Sequence, residues 1–450
     1  MRRSSAIRRV LYSLLDSKLK LAESRPISAS ALIFLLGFAV RLALLIVTDT
    51  WPDAENYELV HVAWSIARGD GFSNPFPSGS TGPTAHVAPV YPYFLAAIYK
   101  TFGLINFSDL VKQVVACAVS SLSFALLPAV AQAAGIARRV GVLGGAIGAL
   151  TPMSIDVEVI GRWETHIATL LFIIALLHWL RHFRQRRLSW KQGAISGFLW
   201  GLLLLTSPSF VTVLFGLVAA TVMQKHLQTL PTLSYLVTFG VVTAVVLMPW
   251  TIRNYRTFGT FVFVRDNAGL EFYLSNLPDA KRSMNDNLLA GAGKFHPYGS
   301  ASSRHRIQEI GEVAFSRECM QKFIDNVTAQ PATFARRLGQ RILWMWFPVG
   351  EHSIRDSMLP RDLIASVITL LGFLGLHFLP VEIDARKVFA IALFSYPLVY
   401  YLIQTTMRYR LPIVWITCLL CANAVLVLAQ KFVVQELPEP YRSTTLSNMS

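Results

Sequence analysis

Ala31-Leu-Ile-Phe-Leu-Leu-Gly-Phe-Ala-Val-Arg-Leu-Ala-Leu-Leu-Ile-Val-Thr48, followed by Trp51-Pro-Asp-Ala-Glu-Asn-Tyr57, decides how the chain is read. An apolar run of this length nearly matches what a helix needs to cross a hydrocarbon layer roughly 30 Å thick. Asp53 and Glu55 stand in the loop that leaves it, with Tyr57, His86 and Tyr91 further along. Carboxylates at the lip of a bilayer are either solvated loop charges or a general base facing a substrate that arrives by lipid.

Composition generalises the first run. The chain is 53% hydrophobic, 15% charged and 12% aromatic, with a mean hydropathy of +0.47, which is too apolar for an ordinary soluble domain. The expectation is an all-α multispanning membrane protein. A net charge of +15 raises the question of nucleic acid. The basic residues, however, sit in short clusters between apolar runs, where the positive-inside rule accounts for many of them, so no nucleic-acid partner is expected. Met1 to Arg25 holds seven basic and two acidic residues. No small-residue cleavage signature follows the first run, which therefore reads as a retained helix. Of the four cysteines, Cys117, Cys418 and Cys421 fall in apolar runs and Cys319 has no evident partner, so no disulfide framework is expected.

Apolar runs at 31–48, 110–134, 140–155, 165–180, 192–206, 209–223, 232–250, 363–379, 388–403 and 411–430 suggest about ten spans. The segment from Pro89 to Lys100, broken by Pro92, is too short to cross and suits an interfacial helix. With that segment on the outer surface, Arg138-Arg139, the Arg181–Arg187 cluster, Lys225 and Lys387 share a side with the basic N-terminus. If it crossed, they would flip. Parity also requires a hairpin turning at Ser207-Pro208-Ser209. Both termini are then cytoplasmic in an inner (plasma) membrane. The chain divides into a membrane module (1–250) whose first outer loop is 49–108, a small α-rich outer cap (251–360), and C-terminal helices (361–450). Gly197 and Gly201, and the set Gly141, Gly144, Gly145 and Gly148, have the spacing of close helix packing.

The unusual charges near span ends all fall on the outer side: Asp53, Glu55, Glu158, Arg162, Glu164, Arg253, Arg256, Arg408 and Arg410. Topology does not explain them, because charge bias favours the other face. One chemistry uses both signs. A carboxylate removes a hydroxyl proton, and arginines at headgroup depth bind and stabilise a phosphate leaving group through forked hydrogen bonds. That describes sugar transfer from a lipid phosphate, by displacement without a covalent intermediate and so with inversion. The plainer readings are a solvated loop or helix cap for Asp53 and Glu55, a loop histidine for His86, and snorkelling to lipid headgroups for the arginines. Tyr57, Tyr91 and Trp163 also fit an interfacial aromatic belt. No P-loop, dinucleotide fingerprint, HExxH or GxSxG is present, and no metal or other cofactor is expected.

Pro52-Asp-Ala-Glu-Asn-Tyr57, Ala67-Arg-Gly-Asp-Gly-Phe-Ser73 and Ala88-Pro-Val-Tyr-Pro-Tyr93 together resemble the first outer loop of dolichyl-phosphate-mannose protein mannosyltransferase-like enzymes. These are the glycosyltransferase family 39 type of the C-fold superfamily, with bacterial aminoarabinose transferases among the relatives. Pro249-Trp-Thr-Ile-Arg-Asn-Tyr-Arg256, Asn267-Ala-Gly-Leu-Glu271 and Arg408-Tyr-Arg-Leu-Pro412 are similar to later stretches of the bacterial group. The resemblance implies a C-fold glycosyltransferase with interfacial helices in the first outer loop. It implies a polyprenyl-phosphate-linked sugar donor, an acceptor of unstated class (protein, lipid or glycan) and contact with membrane lipid. It places the catalytic base on Asp53, with Glu55 as its neighbour. Tyr57, His86, Tyr91, Arg162, Glu164, Arg253, Arg256, Arg408 and Arg410 are the candidate substrate contacts. The competing class is a multispanning transporter or lipid flippase, which would show a two-half repeat and mid-membrane charges in broken helices.

Overall fold

The computed structural model describes residues 17–48, 57–77, 81–152, 163–184, 188–223, 229–348, 359–380 and 384–435. Among them there is no β-strand, only isolated bridges joining Ser73 to Pro83 and Ser283 to Thr405.

In chain order the helices are α1 (Pro26–Thr48), α2 (Glu58–Arg68), α3 (Val90–Phe102), α4 (Asn106–Ala125), α5 (Leu127–Ala134), α6 (Arg138–Leu150), α7 (Thr165–Arg184), α8 (Trp190–Thr206), α9 (Val211–Met223) and α10 (Leu230–Phe258). After these come α11 (Ala268–Ser275), α12 (Met284–Leu289), α13 (Ala301–Ile310), α14 (Glu312–Ala329) and α15 (Pro331–Trp346). The chain closes with α16 (Leu359–Phe378), α17 (Asp384–Ser395), α18 (Leu398–Tyr401) and α19 (Leu411–Gln435). Six helical stretches are long and apolar enough to cross a membrane: 26–48, 106–134, 165–183, 230–258, 360–378 and 407–431. The other four expected spans coincide with the shorter helices α6, α8, α9 and α17–α18.

The lipid-facing and inward faces separate by helical period. Along α10, Leu233, Val237, Val241, Val245 and Met248 recur at three or four residues and stay exposed, which suits a surface solvated by acyl chains. The opposite face meets α8 across a glycine seam. A Cβ at Gly197 would lie 2.6 Å from the Phe239 carbonyl oxygen, so only glycine permits this approach. At the centre of the bundle, Phe172 packs on Trp200, Phe210 and Trp415. Arg41 is fully buried in α1 and donates to Ser120 Oγ, the Gly37 carbonyl and the Ala149 carbonyl, which tie three helices together. All four cysteines are free and buried.

Two short helices, α2 and α3, occupy the first loop, and α3 covers the Pro89–Lys100 segment. Gly69 ends α2 at φ 99°, a left-handed conformation that favours glycine. Helices α11 to α15 lie within the stretch 251–360. Its apolar centre (Leu270, Leu274, Ile307, Phe315, Cys319) also takes in Phe76 from the first loop, so the cap and the loop fold against each other. Phe261 to Val264, which reads as extended, is irregular, with Val262 and Val264 turned inward and Phe261 exposed. The turn between α8 and α9 is a short 3-10 segment at Pro208–Phe210, where the hairpin was expected.

Candidate functional site

Two confluent cavities open where the loop, the cap and the bundle meet. The larger, about 400 Å³, is walled by Tyr57 and Glu58 at the start of α2, by His86, and by Trp163. The cap residues His296 and Tyr298 complete it, with Gln404 from the segment before α19. The second, about 290 Å³, runs toward the bundle between Ala168, Pro208, Phe272, Tyr396, Val399, Ile403 and Pro412. Four charged residues line both: Glu164, Arg265, Glu271 and Arg408. The two chambers therefore share a boundary of two arginines and two carboxylates.

Arg408 is held there by stacking. Its guanidinium lies 3.5 Å from the centre of the Trp163 ring. Trp163 stacks in turn on Tyr57 at 4.7 Å, and Tyr57 meets Tyr298 at 5.9 Å. The stack fixes the plane of the guanidinium, and at its edge Nη2 donates a long bond of 3.4 Å to the Tyr409 hydroxyl. Arg265 enters from the stretch that leads into α11, and its buried Nε has no hydrogen-bond partner among the described residues. Asn267 Nδ2 orients Glu271 from 3.4 Å.

The far wall of the larger chamber is a cluster of Glu58, His86 and His296, whose ligand-type atoms all lie within 4.8 Å of one another. Burial raises the Glu58 carboxyl, opposed by its own backbone hydrogen bond and by Arg408 and Arg265. Burial likewise pushes the His86 imidazole well down, with His296 and Arg265 adding to the effect, and it lowers His296. Both rings are neutral near pH 7. Such a triad suggests a metal, but its hydrogen bonds do not fit one. His296 Nε2 points at Glu58 Oε1 from 3.7 Å, while Nδ1 accepts the Tyr298 backbone N–H at 3.0 Å. A ligating histidine needs its second nitrogen protonated and donating. The cluster instead reads as two imidazoles and a carboxyl that offer donors and acceptors suited to hydroxyl groups.

Of the residues singled out from sequence, the structure brings Tyr57, His86, Glu164 and Arg408 together at the cavities. Asp53, Glu55 and Arg162, like Glu158, lie outside the described residues. Four others are placed elsewhere. Tyr91 is fully buried against His166 and Phe94 in the core rather than at a substrate. Arg253 donates to the carbonyls of Thr84 and Phe72 and stacks on Trp250 at 4.9 Å, so it clamps the first loop. Arg256 is exposed in the last turn of α10. Arg410 is buried and bonded to the Trp346 carbonyl and to Thr369, which removes it from both headgroups and cavity. In each inward-turned arginine, backbone carbonyls take the place of the expected phosphate.

Sequence reading missed Glu58, Arg265, Glu271, His296 and Gln404. Glu271 closes the Asn267–Glu271 stretch that carried part of the resemblance, so a signal for it existed. Nothing local marks His296, which reaches the cavity only through the folding of the cap.

No family model matches the chain, and no curated protein matches it. Solved structures do. The oligosaccharyltransferase AglB of Archaeoglobus fulgidus, in complex with an inhibitory peptide and a dolichol-phosphate, aligns with TM-score 0.52 at 13% identity over 93% of this chain and 52% of that one. The same enzyme tethered to an acceptor peptide containing the NVT sequon gives TM-score 0.54 at 12% identity, covering 94% and 53%. Its complex with Zn and sulfate gives 0.53 at 13%, covering 89% and 49%. The chain thus spans about half the length of the structures it matches. At this identity the likeness speaks for the fold alone, a multispanning helical architecture like that of these structures.

Proposed function

We propose that the chain is a membrane glycosyltransferase that moves one sugar from a polyprenyl phosphate to an acceptor on the extracytoplasmic face, with inversion at the anomeric carbon. The observation that carries this reading is the pair of confluent cavities with Arg265, Arg408, Glu164 and Glu271 at their junction. The first isoprene units would occupy the chamber beside Phe272, Val399 and Ile403. The phosphate would rest between Arg265 and Arg408, and the sugar would project toward Glu58, His86 and His296. Binding of dolichol-phosphate by the structurally similar AglB supports a lipid phosphate as the donor class.

In the proposed step the acceptor oxygen attacks the anomeric carbon while a carboxylate takes its proton. The bond from that carbon to the phosphate oxygen breaks, and its electron pair goes to the phosphate. Two arginines at the junction stabilise the charge that develops there. The base is proposed to be Asp53, with Glu55 as the alternative. The finer assignment, to a family 39 type enzyme in an inner membrane with both termini cytoplasmic, is part of the same proposal.

The test is incubation of purified protein with labelled polyprenyl-phosphate sugars and native membranes, followed by mass analysis of acceptors. The reading expects a single-sugar gain in mass that is lost in Asp53→Asn. Transport of the intact lipid without transfer would instead favour a flippase.

A further inference from the structure

Asp266 and Glu312 play no part in the step described above, yet they form an enclosed acidic contact behind the cavity edge. Glu312 opens α14 and is buried. Its two carboxyl oxygens accept Thr84 Oγ1–H at 2.5 Å and the Ala85 N–H at 2.6 Å. Thr84 Oγ1 accepts the His86 N–H at 2.9 Å, so the loop edge that presents His86 hangs on Glu312. From the other side, the Asp266 N–H donates to the Ala85 carbonyl at 3.0 Å, and Ser316 Oγ, one turn into α14, donates to the Asp266 carbonyl. Asp266 is next to Arg265 in sequence. Two segments that carry cavity residues, the Thr84–His86 edge and the stretch from Arg265, therefore meet at the start of α14.

Asp266 and Glu312 hold Ala85 from its two polar groups, Asp266 through its own N–H to the Ala85 carbonyl and Glu312 through a carboxyl oxygen on the Ala85 N–H, and this brings the two carboxyls within interaction range of each other. The backbone N–H of Asp266 stands near its own carboxyl, but among the described residues no other residue donates a hydrogen bond to either of the Asp266 carboxyl oxygens. Two carboxylates facing each other in a buried site repel, and an unsatisfied buried carboxylate is costly. A single proton between them removes both penalties, as in the paired carboxyls of aspartic proteases.

We propose that Asp266 and Glu312 are positioning residues: a carboxyl pair sharing one proton that latches the Thr84–His86 edge of the cavity to the segment carrying Arg265. The charged and titratable groups facing the pair are Arg253 from α10, whose guanidinium is on the Thr84 carbonyl, Arg265, and the neutral His86. Burial and the mutual repulsion of the two groups hold the proton above the ordinary carboxylate range. The sign follows. A raised folded-state value means that the latch is complete at acidic pH and is lost as pH rises through that value. Loss of the proton sets two charges against each other and releases Thr84 and Ala85.

That the latched cavity transfers a sugar rests on the function proposed above, but the latch can be measured without donor or acceptor. Hydrogen–deuterium exchange of the full chain in lipid nanodiscs, corrected for intrinsic exchange, reads protection of the Ala85 amide across pH. The wild type is expected to lose protection toward alkaline pH by about tenfold or more, the scale of one lost bond to a buried carboxyl. Glu312→Gln keeps shape, stays neutral and can donate to Asp266, so its protection should not change with pH. Asp266→Asn is the second variant, with the same expectation. Infrared spectra supply an independent sign: carbonyl intensity of a buried protonated carboxylic acid, present in the wild type and reduced in Glu312→Gln, where any remaining band belongs to another raised carboxyl such as Glu58. Equal pH dependence in the wild type and both variants, or no protonated-acid band in the wild type, overturns the proposal. If the latch holds while no sugar donor is consumed, the functional reading fails and the latch stands.

Discussion

Replacing Trp163 by leucine tests whether the stack that aims Arg408 serves donor binding. Leucine preserves apolar bulk at the start of α7 but removes the ring that lies 3.5 Å from the guanidinium and stacks on Tyr57 at 4.7 Å. A cation–π contact at a half-buried site contributes about 0.5–2 kcal/mol. The aromatic pair adds about 0.5–1.5 kcal/mol, most of which concerns the fold of the wall rather than the ligand. If about 1–2 kcal/mol of Arg408 orientation is lost, donor affinity falls about fivefold to thirtyfold. The assay is donor-dependent transfer at saturating acceptor, with KM and kcat resolved, and thermal unfolding as a control for folding. Arg408→Lys should resemble Trp163→Leu, since it keeps charge but loses the fork and the stack. Unchanged donor affinity in Trp163→Leu, in a variant that melts like the wild type, would refute the argument that stacking orients the phosphate-binding group.

Other expectations follow from the same geometry. Arg265→Ala should weaken the donor more than the acceptor, by about 1.5–3 kcal/mol in binding if its charge-assisted bonds go to phosphate, which separate KM measurements will show. Arg410→Ala should lower the melting temperature without a selective effect on donor KM, because its partners are the Trp346 carbonyl and Thr369. Gly197→Ala should cost about 1–3 kcal/mol of stability by forcing α8 off α10, measured by unfolding in a fixed detergent. His86 and His296 are depressed by burial, so their contribution to stability is present above the unfolded imidazole value of about 6.5 and is lost as pH falls below it. Melting scans from neutral to acidic pH should show that loss, and His86→Gln should reduce it.

The positions of the helices were legible because apolar length is a local property. Every expected span falls on a helix, and the Ser207–Ser209 break and the short loop helices lie where Pro208 and Pro92 interrupt the runs. The six longest stretches meet the length of a span on their own. The others are shorter, and apolar runs in the sequence do not distinguish a short crossing from a buried helix. At the site, residues next to a span end with aromatic company, such as Tyr57 and Arg408, were legible. The fates of Arg253 and Arg410 were not. A sequence shows the charge at a helix end, but not whether a neighbouring segment offers carbonyls that turn the side chain inward. For Arg265 and His296, membership of the site is a long-range property of cap folding against the first loop.

The most direct measurement is a cryo-electron microscopy structure of the full chain in nanodiscs with a polyprenyl-phosphate sugar bound. The account predicts phosphate density between Arg265 and Arg408, the first isoprene units beside Phe272 and Ile403, and the sugar toward His86 and His296. Phosphate density away from both arginines, or lipid confined to the outer helix faces with both cavities holding only water, would contradict it.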